Sequence, residues 1–294
     1  MTDIIAPPSV RALAREKGID LRKLASDLGR TNIVREDLDT EKTAAQHAPG
    51  GDTSYWNVDH AKYGPVSEEP LSRIAKVAAA NLSAAQSLIP AVTHHEYANI
   101  DSVEAFRKEL KTEAEARGIK LTALAFNVVA LAQCLGEFPR FNASLSADGQ
   151  TLVLKQYVHI GIAVDTPHGL MVPVIRDADT KGLWQIAAEI TDLATRAQKR
   201  QLRADQMGGA SMTITNLGGI GGVGFTPIVN PPEVAILGFT RPELTPVWDG
   251  ESFQPKPRVS LDLSYDHRVI NGADAARFCA RFSSLMSDPR LMVV

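Results

Sequence analysis

Cysteine is scarce: Cys134 and Cys279 are the only two in 294 residues, too few for a disulfide framework or a four-ligand zinc site. Both fall in apolar stretches of helical spacing, where buried, reduced thiols are expected. Long hydrophobic runs are missing as well. The most apolar charge-free stretch, Leu121 to Gly136, lies between Lys120 and Glu137 and falls short of the ~20 residues of a membrane span. A longer charge-free stretch, Gln206 to Pro232, carries seven glycines and three prolines and so is no helix. An excess of one charge is absent: 31 Lys plus Arg face 34 Asp plus Glu, a net charge of −3. That balance gives no support for a nucleic-acid or anionic-membrane partner. The start, Met-Thr-Asp-Ile-Ile-Ala-Pro-Pro, has no basic segment followed by an apolar core, so no secretory signal is read there. No internal repeat is visible. What remains is an ordinary globular composition, 44% hydrophobic and 22% charged, expected to be soluble and cytoplasmic.

The chain reads as three segments. Residues 1–40 form a miniature helical unit: Ser9 precedes an apolar pattern at Val10, Leu13 and Ala14, with Gly18 placed to stop the helix. An extended piece at Ile33-Val34 and a second helix opening near Arg35 follow. Residues 41–69 are linker-like in composition, and Trp56, Val58, Tyr63 and Val66 suggest an arm near their end. Residues 70–294 form the main domain. Helices are expected over 71–88, over 102–117 with Ser102 as cap, and over 121–135, 182–201 and 273–287. Strands are expected over 92–97, 151–164, 170–176, 211–215, 233–240 and 257–265. Helices and strands alternate irregularly, which disfavours a doubly wound parallel sheet.

Two features carry chemistry. Strand 258–265 runs into Asp266-His267-Arg268-Val269-Ile270-Asn271-Gly272 and then a helix. A histidine at a strand end can be held rigidly, and with an ordinary pKa of roughly 6.5 it is the natural general base near neutrality. The bland alternative is a structural histidine satisfied by Asp266 or by backbone. Asn271 before Gly272 is a plausible helix cap. None of the other six histidines forms a helical pair with a carboxylate, so no metal site is expected. The second feature is Thr213-Ile-Thr215-Asn216 leading into Leu217-Gly-Gly-Ile-Gly-Gly-Val-Gly224. Its glycines match a dinucleotide fingerprint formally, but Pro227, Pro231 and Pro232 forbid the helix that fingerprint requires. A glycine turn that lets a ligand approach backbone fits better, with the Thr213 and Thr215 hydroxyls at the strand end. There is no Gly-x-Ser-x-Gly elbow and no partnered cysteine, so the nucleophile of any enzyme here would come from the substrate, with His267 as its base.

Asp-His-Arg-Val-Ile-Asn-Gly at 266–272, Thr-Ile-Thr-Asn-Leu-Gly at 213–218 and Asn-Pro-Pro-Glu-Val-Ala-Ile-Leu-Gly at 230–238 resemble the dihydrolipoamide acyltransferase components of 2-oxo acid dehydrogenase complexes. Pro139-Arg-Phe-Asn-Ala-Ser-Leu145 and His159-Ile-Gly-Ile-Ala-Val-Asp-Thr-Pro167 add to the match, which is closest to the bacterial pyruvate dehydrogenase members. Pro8-Ser-Val-Arg-Ala-Leu-Ala-Arg-Glu-Lys-Gly18 resembles that family's peripheral-subunit-binding domain. The resemblance implies an α/β (α+β) chloramphenicol-acetyltransferase-like fold, a mixed sheet with flanking helices, preceded by the small helical domain. It implies acetyl transfer between dihydrolipoamide and coenzyme A without a metal. His267 would take the thiol proton, Thr215 would hold the oxyanion in place of the more usual serine, and Asn271 would complete the catalytic set. Phe225 and Asn216 would line the substrate channel. It further implies a homotrimer with channels between subunits, a larger core of up to 24 subunits in a cube, and Leu291-Met-Val-Val294 as an intertrimer contact.

Three departures bear on these expectations. Asn271 stands where many members carry Asp. In the small domain Arg11 matches one of two arginines that, in the family, bind the 2-oxo acid decarboxylase and lipoamide dehydrogenase, but Asn32 stands at the second and Ser26-Asp27-Leu28 replaces a Gly-Thr-Gly loop; Arg30 would be the candidate substitute. No Asp-Lys-Ala lipoyl turn is found, so the lipoyl group would come from a domain outside these residues. The competing expectations are a non-catalytic scaffold or subunit-anchoring relative, and an acyltransferase of another 2-oxo acid complex.

Overall fold

A computed structural model describes residues 6–21, 24, 32–34, 38 and 56–292. The chain divides into two compact units, Met1–Glu68 and Glu69–Val294. In the first, helix α1 spans Pro8–Glu16 with Pro7 at its N-cap. Ser9 is thus inside the helix rather than its cap, because proline suits the first helical turn, whose N–H groups have no intrahelical partner. Gly18, at φ +68°, ends the helix as expected. Val10, Ala14, Ile33 and Leu38 form a small buried cluster. The helix expected near Arg35 and the substitute Arg30 lie outside the described residues, as do Ser26-Asp27-Leu28 and Val293-Val294.

The second unit begins with α2, Arg73–Leu88, capped by the Ser72 hydroxyl on the Ala75 N–H. Strand β1, Ala91–Asn99, follows. The expected helix over 102–117 is two helices, α3 (Asp101–Glu109) and α4 (Lys111–Ala116), meeting at Leu110. The cap position is Ile100, not Ser102; nothing local explains the break. Helix α5, Ala123–Glu137, buries most of its surface. The span 151–164 is not one strand. Its pieces are β3 (Leu152–Leu154), paired with β2 (Ala143–Leu145), and β4 (Ile160–Ile162). Between them the Asn142 side-chain amide donates to the carbonyls of Lys155 and Tyr157, taking backbone groups a strand would need. Short β5 (Val174–Ile175), α6 (Leu183–Gln198), β6 (Met212–Asn216), β7 (Ala235–Phe239), β8 (Glu243–Trp248), β9 (Phe253–Asp266) and α7 (Gly272–Ser287) complete the order.

The main sheet is mixed, in the order β1-β9-β7-β6-β4-β5, with β8 paired to the first half of β9. β4, β6 and β7 are mutually parallel and the remaining pairings are antiparallel. Strand alternation gives its central strands two different faces. Met212, Ile214, Leu237, Phe239, Leu261, Leu263 and Tyr265 join α5 and α7 in one buried core. There Phe141 and Phe278 stack at 4.2 Å, with Phe138 edge-on to Phe278 at 5.5 Å. Both cysteines sit in this core as free thiols, pushed up to about 12 by burial. The opposite face of the sheet is polar, built of Thr213, Thr215, Ser260, Asp262, Ser264, Thr93 and His95.

Candidate active site

His267 is the first residue after β9. Its position is set entirely by backbone and neighbours. Its N–H donates to Pro90 O at 3.1 Å just before β1, while the Asp266 N–H donates to Val234 O just before β7. The turn closes with Val269 and Ile270 N–H groups on Asp266 O, and Arg140 Nη1 donates to Val269 O. The buried Asp266 carboxylate accepts from Arg268 backbone N, Nε (3.0 Å) and Nη2 (2.7 Å). Asp266 is therefore engaged by arginine, not by His267. The His267 ring is exposed and tilts against Tyr265, centroids 5.8 Å apart. Among the described residues no side chain is hydrogen-bonded to that ring. It is anchored but chemically unoccupied.

Asn271 caps α7, its Oδ1 accepting the Asp274 N–H at 2.9 Å. Its amide does what an aspartate would do at that cap, without the negative charge.

Thr215 lies near the end of β6, half-buried, opposite Gly238 of β7, which in turn faces Asp262 of β9. Thr213, two residues earlier, is not an available hydroxyl as the sequence suggested. It is buried and donates to Glu233 Oε1 at 2.9 Å, which also accepts from Asn230 at 3.1 Å. Burial raises the Glu233 carboxyl above its ordinary range against those hydrogen bonds, and burial likewise lowers the Lys155 ammonium. Asn216 Oδ1 accepts the Gly218 N–H at 2.8 Å and so shapes the glycine turn; Arg241 Nη2 on Ile220 O holds the same turn at 2.8 Å. No helix or strand intervenes between β6 and β7, as the prolines foretold. The Phe225 ring lies over Gly238, where a Cβ would come within 2.6 Å of Phe225 Cζ. Thr215, Gly238 and Phe225 thus adjoin on the polar sheet face.

The same chain does not bring Thr215 and His267 together. Thr215 stands in the row of Asp262, and His267 lies five residues further along β9, two strands away. At ~3.3 Å per residue and ~4.8 Å between strands the separation is roughly 15–20 Å, beyond the reach of either side chain. In the first unit, Arg11 lies in α1 with its Nε donating to Ala6 O at 3.0 Å. Sequence reasoning missed one arrangement on the polar face: His95 of β1 hydrogen-bonded to the buried Asp262 at 2.6 Å.

Residues 63–294 match the family described as 2-oxoacid dehydrogenases acyltransferase (catalytic domain), and residues 4–39 match an E3-binding domain. The chain is 48% identical over 300 residues to the dihydrolipoyllysine-residue acetyltransferase component of the Azotobacter vinelandii pyruvate dehydrogenase complex, covering 98% of this chain and 47% of that protein. It spans about half the length of this and two other curated relatives that it matches. A solved structure of A. vinelandii dihydrolipoamide acetyltransferase, studied for the roles of a serine, a histidine and an asparagine in its mechanism, shares 52% identity at a TM-score of 0.79, covering 81% of this chain and 98% of that one. The cubic core of a pyruvate dehydrogenase multienzyme complex matches equally well, at 52% identity and a TM-score of 0.79 over the same shares.

Proposed function

The chain belongs to the 2-oxoacid dehydrogenase acyltransferase family, and on that premise we propose that it transfers an acetyl group between dihydrolipoamide and coenzyme A, as part of a pyruvate dehydrogenase core. The observation that carries this reading is the exposed imidazole of His267, fixed by backbone at both flanks and, among the described residues, with no side chain hydrogen-bonded to its ring. His267 takes the proton from the incoming thiol. The thiolate attacks the thioester carbonyl carbon, and the resulting oxyanion accepts a hydrogen bond from the Thr215 hydroxyl. Collapse breaks the original C–S bond, and the imidazolium returns its proton to the departing sulfur. Coenzyme A and the lipoyl group are both substrates here, and no step calls for a metal.

Because one chain holds His267 and Thr215 far apart, the working site is formed between copies, His267 from one and Thr215 and Phe225 from another, in a homotrimer. Exposed apolar side chains support a covered surface: Ile74, Val77 and Leu88 on α2, Val92 on β1, and Ile220 and Val223 in the glycine turn. Assembly of trimers into a cube, and docking of partner enzymes on the first unit through Arg11, are the further steps of this proposal, supported by the likeness to the cubic core and by the E3-binding match. The test is acetyl transfer from acetyl-CoA to free dihydrolipoamide. His267→Ala is expected to reduce kcat by about 10²–10⁴; undiminished turnover removes His267 as the base.

A further inference from the structure

On the polar sheet face, Asp262 is fully buried, yet none of its hydrogen bonds is to a cation of fixed charge. Its Oδ1 accepts from His95 Nδ1 at 2.6 Å and from the Ser260 hydroxyl at 3.0 Å, and its Oδ2 accepts the backbone N–H of Phe225 at 3.3 Å. The His95 side chain is 55% exposed, while that of Asp262 is fully buried beneath it. The same aspartate is a steric wall. A Cβ on Gly238 would lie 3.3 Å from Asp262 Cβ and 2.6 Å from the Phe225 ring. Phe225 is therefore gripped at its backbone by Asp262 and seated at its ring in the gap over Gly238, directly beside Thr215.

Such a set of contacts acts on position rather than on protons. We infer that Asp262, held in place by His95 and Ser260, is a positioning residue that seats Phe225 against Gly238 and so sets how large an acyl group the site beside Thr215 accepts. The inference rests on the acyltransfer reading above and on Phe225 as channel wall. With the Asp262 carboxylate removed, the Phe225 N–H loses its acceptor and the ring is free to leave the gap. The space it vacates is of the size of a few methylenes, in the place where an acyl chain longer than acetyl would lie. A substrate specificity set by bulk is what this arrangement provides, since methylene-scale differences in pocket size discriminate by about 10–200-fold.

The test compares acetyl-CoA with butyryl-CoA as donors to free dihydrolipoamide, using the assembled protein. Asp262→Ala is expected to lower the acetyl-to-butyryl ratio of kcat/KM about tenfold, mainly through a lower KM for butyryl-CoA. Asp262→Asn, which keeps an acceptor for Phe225 and a partner for His95, should hold the ratio within about twofold. His95→Ala, at a half-exposed position, should move the ratio in the same direction as Asp262→Ala, and it decides the matter where Asp262→Ala does not assemble. A loss of transfer that is equal for both donors, or a ratio unmoved in His95→Ala and Asp262→Ala, overturns the assignment while leaving the acyltransfer reading intact. An unmodified chain that transfers neither group overturns that reading, and this inference with it.

Discussion

Thr215 differs from a serine by one methyl group, and the consequences divide cleanly between chemistry and packing. On the proposed mechanism the hydroxyl is the donor to the transition-state oxyanion; the methyl only adds bulk beside Phe225. Thr215→Ala should therefore lower kcat for acetyl transfer by about 10²–10³, the usual cost of one oxyanion donor. Thr215→Ser should stay within about tenfold of the unmodified chain, since it keeps the donor that the alanine lacks. Steady-state kinetics on the two variants separate the roles, and an alanine variant as fast as the serine variant would remove Thr215 from the reaction. The placements of His267 at a strand end, Thr215 before the glycine turn and Asn271 as a helix cap were legible as local patterns, because strand ends, glycine turns and caps are written in adjacent residues. The availability of Thr213 was misjudged for a reason no local pattern contains: its hydroxyl is taken by Glu233, twenty residues on. The His95–Asp262 pair was invisible for the same reason, its partners lying 167 residues apart and meeting only through the β1–β9 register.

Among the elements, the long buried helices and the central strands follow from apolar spacing, and the structure places them within a few residues of the sequence reading. β8 and the first half of β9 were not legible, because Pro246, Pro255 and Pro257 argue against strands. They pair nonetheless: among the described residues β8 has β9 as its only partner, and proline is tolerated where no N–H is needed. Closer in, the parallel pairing of β4 with β6 depends on a missing side chain. A Cβ at Gly161 would approach Thr213 Oγ1 to 2.6 Å and Val172 Cγ1 to 3.0 Å. Thr213 has no freedom to turn aside while it serves buried Glu233, so Gly161→Ala should destabilise the second unit by about 1–3 kcal/mol through overpacking. Denaturant unfolding measures this, and a midpoint equal to that of the unmodified chain would show that β4 and β6 separate at no cost.

For the molecule as a whole, the sheet register makes a demand that one chain does not meet. His267 follows the last residue of β9 while Thr215 stands in the row of Asp262, so in the proposed mechanism the base and the oxyanion donor meet only across a boundary between copies. This has a genetic consequence. A His267→Ala chain still supplies an intact Thr215, and a Thr215→Ala chain still supplies an intact His267. Mixed within one trimer, they rebuild a complete site wherever the histidine of one meets the threonine of the other. Random mixing in equal amounts gives about a quarter of the interfaces this pairing, in a ring of head-to-tail contacts. Co-expressing the two inactive variants should thus restore up to about a quarter of the unmodified turnover, far above either alone. The chain carrying both substitutions, mixed with either single variant, should restore none, because every site then lacks a group. Recovery absent in the first mixture, with mixed trimers shown by mass spectrometry, would place both groups within a single subunit and contradict the register from which the argument starts.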